Sequence, residues 1–266
     1  MAPARVNVLG VGVSAITVPE AVGIIQGWIA TGDRQYVCVT GVHGVMESHD
    51  DPELRNIHNR AGLVTPDGMP LVWMSRAKGH SRVERVYGPD LMLACCAASV
   101  SRGYRHYLYG GRPGVPERLA TRLQQRFPGL EIAGTWSPPF GDLQPDEQRA
   151  VIDRINAAAP DVVWVGLSTP KQERWMARHV GRLCAPVLIG VGAAFDFLAG
   201  VKRQAPRWMQ RSGLEWLFRL GTEPRRLGPR YLVNNPRFVW LTMLEAAGLV
   251  EYHIPAPDNA TRRSSL

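Results

Sequence analysis

Asp67 is the acidic residue best placed for proton transfer. It follows a short apolar run, Leu63–Thr65, in the sequence Thr65-Pro66-Asp67-Gly68. If that run forms a strand, Asp67 lies at its carboxyl end, where partial burial raises the pKa of a carboxyl group toward that of a general base. An ordinary Pro-Asp-Gly turn is the alternative, and the spacing alone favours it.

Two further turns carry residues that suit a phosphorylated or hydroxylated ligand. Gln172 follows Pro170 in the predicted first turn of a helix, where free N–H groups favour anions and the amide can bind a hydroxyl or a uracil edge. A solvated first turn is the alternative. The small-residue segment 190–196, from Gly190 to Asp196, allows close approach of a nucleotide, although tight helix–strand packing explains it equally well.

Positive charge is concentrated in one segment. Residues 202–237 hold nine basic and two acidic residues, and so carry +7 of the net charge of +8. Eight of the nine are arginine, which favours bidentate binding of anions. The segment is interpreted as a phosphate clamp, a membrane-surface patch or a solvated helical face. No Asp-x-Asp pair or His/Cys ligand spacing occurs, so we predict no metal and no cofactor, with arginines neutralising any diphosphate.

Apolar runs that alternate with helical patterns predict the elements that position these residues. The predicted strands are Val6–Leu9, Tyr36–Thr40, Leu63–Thr65, His106–Tyr109, Leu130–Gly134, Val162–Val165 and Val187–Val191. The predicted helices are 17–29, 89–100, 114–127 and 145–158. This order predicts an α/β fold with a Rossmann-like, mostly parallel sheet and helices on both faces. Ligands then bind beyond the carboxyl ends of the strands, at the turns 10–12, 65–68, 110–114 and 166–170.

The pattern changes near residue 200. Helix-length pieces rich in arginine and aromatic residues follow, interrupted by Pro206, Pro224 and Pro236. We therefore predict an α/β catalytic domain (1–200), a basic helical appendage (201–254) and a disordered tail (255–266). The four cysteines show no CxxC pair, and Cys38 and Cys184 lie in apolar runs, which favours a reducing compartment. No signal peptide or membrane-spanning run is evident, so we expect a soluble or surface-bound protein.

Several motifs occur together and in order along the chain. They are 65–68 (TPDG), 84–91 (ERVYGPDL), 109–111 (YGG), 127–130 (FPGL), 170–173 (PKQE), 190–192 (GVG), 205–206 (AP) and 214–220 (LEWLFRL). Over about residues 5–240 the sequence resembles the WecG/TagA/CpsF family of bacterial glycosyltransferases.

The resemblance implies an inverting transferase that moves a sugar from a UDP-sugar to a polyprenyl-diphosphate-linked saccharide. Such enzymes act at the cytoplasmic membrane face in the synthesis of exopolysaccharide, capsule, teichoic acid or common antigen. By this resemblance Asp67 is the catalytic base, Thr40 and Gln172 bind the substrate, and Arg85 lies beside the pocket. His43, which follows the Thr40 motif, and Gly110, Gly192 and Asp196, from the turns after strands, complete the predicted substrate-binding set. The appendage closes over the site at an anionic membrane surface and supplies arginines for the diphosphate: Arg219, Arg225, Arg226 and Arg230.

Two departures from the family pattern leave the substrates open. The usual Thr-x-Asn is replaced by Thr40-Gly41-Val42, followed by His43, so N-acetylmannosamine, glucose and other hexoses all remain candidate donors. Gln204 replaces an arginine before Ala205-Pro206. The acceptor glycan and the oligomeric state are not determined, and a homo-oligomer is open.

Two other functions compete with the transferase. A nucleic-acid-binding module would use the basic, aromatic appendage, but it leaves the strand-end turns without a role. A nicotinamide-dependent oxidoreductase is disfavoured because Gly10-Val11-Gly12 lacks the third glycine of a dinucleotide fingerprint. The transferase interpretation predicts no nucleic-acid partner.

Overall fold

A six-stranded parallel sheet forms the centre of the molecule, for which a computed structural model describes residues 3–139, 141 and 143–254. Its strand order is β4-β3-β8-β7-β5-β6, and every neighbouring pair is parallel. The strands are β3 (Gln35–Thr40), β4 (Leu63–Pro66), β5 (Arg105–Gly110), β6 (Glu131–Trp136), β7 (Val162–Gly166) and β8 (Val187–Gly190). The predicted α/β fold is thus confirmed.

Helices cover both faces of the sheet because its central strands are apolar on both sides. The four residues of β8 are buried, and Trp164 of β7 is fully buried. One core cluster joins the sheet to α1, α5, α6 and α9, and the other joins it to α2, α4, α7 and α8. The helices before residue 200 are α1 (Val18–Thr31), α2 (Val42–Asp50), α3 (Pro52–Arg60), α4 (Met69–Ala77), α5 (Gly88–Val100), α6 (Val115–Arg126), α7 (Pro145–Ala157), α8 (Lys171–His179) and α9 (Ala194–Leu198).

The turn at Gly10-Val11-Gly12 does not lie where the sequence pattern placed it. Strands β1 (Arg5–Val8) and β2 (Val11–Ser14) pair antiparallel in a separate two-stranded sheet. Leu9 and Gly10, the two residues between them, have φ values of 50° and 88°. Positive φ at both positions is typical of a tight hairpin turn, so this glycine segment closes a hairpin and is not a ligand loop of the parallel sheet.

The appendage is helical, as predicted. It contains α10 (Arg207–Arg211), α11 (Glu215–Thr222) and α12 (Pro224–Ala246). Pro206 and Pro224 precede or begin helices, but Pro236 lies inside α12 and does not end it. The buried side chain of Phe238, two residues later, belongs to the core cluster on the α2 face of the sheet, and this packing holds the helix together beyond the proline.

The two cysteines that were predicted to lie in apolar surroundings differ in their exposure. Cys38 is buried as expected, whereas Cys184 is exposed, because it lies in the loop before β8 with its N–H bonded to Asn156. The predicted disordered tail, 255–266, lies outside the described residues.

Among the helices that the structure describes, none has both the length and the apolar character needed to cross a membrane.

Candidate active site

Asp67 lies immediately beyond the carboxyl end of β4. Its N–H donates a 2.9 Å hydrogen bond to the carbonyl of Thr40, which ties the ends of β3 and β4 together. The side chain is 31% exposed, so the carboxylate is open to a ligand from one side and enclosed by protein on the others.

Arg85 joins Asp67 to the appendage. Its Nε donates to the carbonyl oxygen of Asp67, and its Nη2 lies 3.3 Å from Asp67 Oδ1. The same Nη2 lies 2.6 Å from Oε2 of Glu215, the first residue of α11. The Tyr87 hydroxyl donates to the other oxygen of Glu215 at 3.2 Å. One guanidinium group therefore serves two carboxylates that are far apart in the sequence.

The environment raises the pKa of Asp67 above its ordinary value. Removal of water by the surrounding protein is the largest cause, and the negative charge of Glu215 adds to it, whereas Arg85 and Arg219 act in the opposite direction. Burial lowers the pKa of Arg85, but the fields of Asp67 and Glu215 outweigh that effect, so its pKa is raised. A permanently cationic Arg85 beside a carboxylate with a raised pKa is an arrangement suited to general base chemistry.

Two of the four predicted arginines face this site. The positive charge of Arg219 acts on Asp67, Tyr87 and His43, and its Nε is buried without a hydrogen-bond partner. Arg230 is partly buried, and its charge lowers the pKa of His43. The other two predicted arginines, Arg225 and Arg226, are exposed.

Arg226 and Arg225 lie on the exposed side of α12. Arg226 Nε is bound to Glu223 at 2.7 Å, and Lys202 pairs with the same carboxylate at 3.1 Å. Arg225 is exposed. The structure thus separates Arg219 and Arg230, whose charges act on Asp67 or His43, from Arg225 and Arg226, which are exposed.

His43 lies at the start of α2, opposite α12. Its Nδ1 is 3.2 Å from Asn234 Nδ2 and 3.5 Å from Glu47, and its Nε2 is buried without a partner. Burial is the main cause that lowers the pKa of His43, to about 4, with Arg230 contributing. The imidazole is therefore neutral at pH 7, and it accepts or donates a hydrogen bond without carrying charge.

Gln172 and Gly192 lie together at the end of β8. Gln172, in the first turn of α8, is 3% exposed, and a Cβ atom at Gly192 would lie 3.4 Å from its Oε1. Gly192 has φ of 48°, in the left-handed region. The two predicted substrate-binding residues are thus neighbours.

Contacts within the protein, and not an open ligand site, surround Gly110 and Asp196. A Cβ atom at Gly110 would lie 2.6 Å from the carbonyl of Gly166 on β7, so close packing of two strands accounts for that glycine. Asp196, in α9, pairs with Lys202 at 3.1 Å and accepts backbone hydrogen bonds at its carbonyl. Asp196 thus helps to fasten the start of the appendage.

Sequence reasoning missed Glu215 and Tyr87 as members of the site. Both occur inside motifs that carry the family resemblance, 214–220 and 84–91, and this was the available signal. Spacing could not reveal them, because their partnership depends on α11 folding back over the sheet.

The arrangement suits a polar, anionic ligand. Three buried polar atoms around the site have no hydrogen-bond partner: His43 Nε2, Gln172 Oε1 and Arg219 Nε. Unpaired buried groups are costly, and a ligand with hydroxyl and phosphate groups would satisfy them. In the part of the chain that the structure describes, no group of three or more His, Cys, Asp and Glu side chains is placed to hold a metal ion.

Comparisons with known proteins agree on one family. Residues 6–251 match the family model described as Glycosyl transferase WecG/TagA/CpsF family. A relative from Bacillus spizizenii is 31% identical over 193 residues, which is 73% of this chain and 72% of the relative. Relatives from Bacillus subtilis and Staphylococcus aureus are each 27% identical, over 78% and 85% of this chain and 78% and 87% of their own length. All three are N-acetylglucosaminyldiphosphoundecaprenol N-acetyl-beta-D-mannosaminyltransferases.

The shared guanidinium gives a first prediction. Glu215→Gln removes a negative charge that raises the pKa of Asp67 and leaves Arg85 to that carboxylate alone. We expect the pKa of Asp67 to fall relative to the wild type. The measurement is a carbon-detected NMR titration of the Asp67 carboxyl group, assigned through its loss in Asp67→Asn.

Glu131→Gln is the matched control. Glu131 begins β6, at the sheet edge opposite β4, and its side chain is 57% exposed. It should leave the Asp67 titration unchanged. An unchanged or raised Asp67 pKa in Glu215→Gln would show that the two carboxylates do not share Arg85.

Proposed function

We propose that this chain, which belongs to the WecG/TagA/CpsF family of glycosyltransferases, moves a hexose from a UDP-sugar to a polyprenyl-diphosphate-linked saccharide with inversion at the anomeric carbon. One observation carries the mechanism. Asp67, whose pKa is raised, lies at the end of β4 within the fields of Arg85 and of Arg219 from the appendage. A base and a cationic group for the leaving diphosphate thus meet in one place.

Asp67 acts on the acceptor. Its carboxylate takes the proton from an acceptor hydroxyl as the oxygen attacks the anomeric carbon from the face opposite UDP. The carbon–oxygen bond to the diphosphate breaks as the new bond forms, and the electron pair leaves with UDP. Single displacement needs one base and no covalent nucleophile, and Asp67, whose side chain is 31% exposed, supplies that base.

Arg219 and Arg230 act on the departing diphosphate. Negative charge grows on its bridging oxygen in the transition state, and preorganised cations directed at that position lower the barrier. The unpaired Nε of Arg219 is the group best placed to donate to it. The N-terminal amides of α8 add to this positive field.

The relatives' names point to the first substrates to test. They transfer N-acetylmannosamine to a lipid-linked N-acetylglucosaminyl diphosphate. This chain has Val42 and His43 after Thr40-Gly41, so the donor pocket has its own chemistry and other UDP-hexoses belong in the same screen. The product then enters a bacterial surface polysaccharide.

The exposed side of the appendage suits contact with a lipid surface. A groove of about 480 Å³ between α11 and α12 has an almost wholly apolar lining that includes Trp216, Leu220, Leu232 and Trp240. Leu232 is 74% and Trp240 61% exposed. Arginines beside exposed aromatic residues favour the interface of an anionic membrane, so we infer a peripheral location there.

Turnover by Asp67→Asn tests the base. The wild type should release UDP from at least one UDP-hexose, with UDP-N-acetylmannosamine tried first, in the presence of a prenyl-diphosphate-linked N-acetylglucosamine. Loss of the base should lower kcat by about 10²–10⁴-fold while UDP-sugar binding is mostly kept. The measurements are UDP release and calorimetric binding of the donor.

Asp33→Asn is the control for this variant. Asp33 is exposed and precedes β3, at the end of the sheet away from the site, so near-normal turnover is expected. Near-normal turnover in Asp67→Asn would remove Asp67 from the mechanism. Absence of UDP release by the wild type with every donor and acceptor tried would overturn the proposed function.

The appendage arginines should differ in their effect on turnover. Arg219→Gln and Arg230→Gln should each lower kcat by about 10²-fold, because they remove positive charge from the side of the site that faces Asp67 and His43. Arg225→Gln and Arg226→Gln should have much smaller effects. The measurement is kcat for UDP release at saturating donor.

Arg118→Gln, an exposed arginine on α6, is the reference for nonspecific loss of charge. Equal losses in all four appendage variants would contradict the separation of the arginines that the fold implies.

The apolar groove should carry membrane binding. The double substitution Trp216→Ser and Trp240→Ser removes two large apolar contacts, each worth about 1.5 kcal/mol or more when buried, so partitioning should fall more than about tenfold. The measurement is co-sedimentation with vesicles of phosphatidylglycerol and phosphatidylcholine. Val100→Ser, at the exposed end of α5, should bind like the wild type, and retained binding by the double variant would place the membrane contact elsewhere.

A further inference from the structure

Two buried ionisable residues stand behind the candidate substrate-binding groups. Glu173 and His58 are fully buried. They lie beside Gln172 and Thr40, which are 3% and 2% exposed. Burial of such groups is unfavourable unless they make hydrogen bonds, so their partners reveal what they do.

Glu173 fixes the orientation of the Gln172 amide. Its Oε1 accepts hydrogen bonds from Gln172 Nε2 at 3.0 Å and from the Thr169 hydroxyl at 2.9 Å. The other oxygen, Oε2, is buried without a partner. A carboxylate oxygen only accepts, so the amide nitrogen of Gln172 faces Oε1. The amide oxygen is then directed away from Glu173.

The amide oxygen of Gln172 is an acceptor that lacks a donor. It is buried without a partner, and it lies 3.4 Å from the position of a Cβ atom at Gly192. An unsatisfied buried acceptor is costly, and the glycine leaves room beside it. A ligand N–H or O–H group would satisfy it.

His58 holds the Thr40 hydroxyl in place. Its Nε2 lies 3.0 Å from Thr40 Oγ1, and its Nδ1 lies 3.0 Å from Ser48 Oγ and 3.1 Å from the Leu54 carbonyl oxygen. Burial lowers the pKa of His58, which favours the neutral ring.

Thr40 and Gln172 lie at the same end of the sheet. Cys38 on β3 is paired with Gly190, the last residue of β8, so Thr40 ends β3 near Gly192, which follows β8 and lies beside Gln172. Gly44 of α2 packs closely on Thr40, since a Cβ atom there would lie 2.8 Å from Thr40 Cγ2. The threonine side chain is thereby held in place.

We propose that Glu173 is a positioning residue that presents the amide oxygen of Gln172 as a hydrogen-bond acceptor, so that the site selects a sugar hydroxyl or amide N–H that donates. The identification of the ligand as a sugar rests on the proposed function, whereas the orientation of the Gln172 amide does not. Glu173 itself does not touch the substrate.

The first test needs no substrate. In the full-length protein labelled with ¹⁵N, the side-chain amide protons of Gln172, identified by their loss in Gln172→Glu, should resonate downfield of free glutamine side chains. Glu173→Gln should move them upfield, and Glu131→Gln should not. Gln172 resonances at free-glutamine positions in the wild type would overturn the proposed orientation.

The second test uses donors in which one sugar hydroxyl at a time is replaced by fluorine, which cannot donate. For the hydroxyl that faces Gln172, the wild type should lose about tenfold or more in kcat/KM. In Glu173→Gln the neighbouring amide is free to turn its NH₂ group toward the fluorine, so the loss should shrink to within about threefold.

The ratio of kcat/KM for parent and fluorinated donor separates positioning from a merely structural role. A structural defect lowers both values together and leaves the ratio as in the wild type, and Glu131→Gln should also keep that ratio. Turnover with an unchanged ratio at every position in Glu173→Gln would overturn the positioning role while the proposed function stands. If the wild type uses no UDP-hexose, the proposed function fails, and the Gln172 resonances decide the orientation on their own.

Discussion

The candidate site is held together by one guanidinium group shared by two carboxylates. Arg85 binds Asp67 at the end of β4 and Glu215 at the start of α11. Two acids around one cation leave the local charge negative unless Arg219 contributes, and its field does reach Asp67. Since Glu215 and Arg219 both belong to α11, the charge balance at Asp67 exists only when the appendage is docked.

Docking does not rest on the ion pairs at the rim of the appendage. Arg207–Asp90 and Arg237–Asp50 have N–O distances of 3.0 and 2.6 Å, but their side chains are between 33% and 65% exposed, and such pairs each contribute about 0–1 kcal/mol. Buried groups contribute more: Phe238 in the core cluster and Glu215 beneath Arg85. Removal of one partner from a buried pair leaves an unpaired charge, so docking and the site are stabilised together.

The local pattern of apolar and polar residues predicted most of the fold but only part of the candidate site. Apolar runs such as Val187–Val191 predict buried strands because burial needs little beyond composition, but β2 was missed because Val11-Gly12-Val13-Ser14 is short and contains glycine. Asp67 was found by its position after a strand. Its bond to Arg85 and the link onward to Glu215 span 18 and 130 residues, and no periodicity reports contacts of that range.

Helix α11 connects the apolar groove to the side chains around Asp67. Glu215 and Arg219 are four residues apart and face the site, while Trp216 and Leu220, also four apart, line the apolar groove. Because both pairs lie on one short helix, any contact that fixes Trp216 also affects where Arg219 lies relative to Asp67. A transferase whose acceptor is anchored in a membrane would thus gain its full complement of positive charge where that acceptor is found.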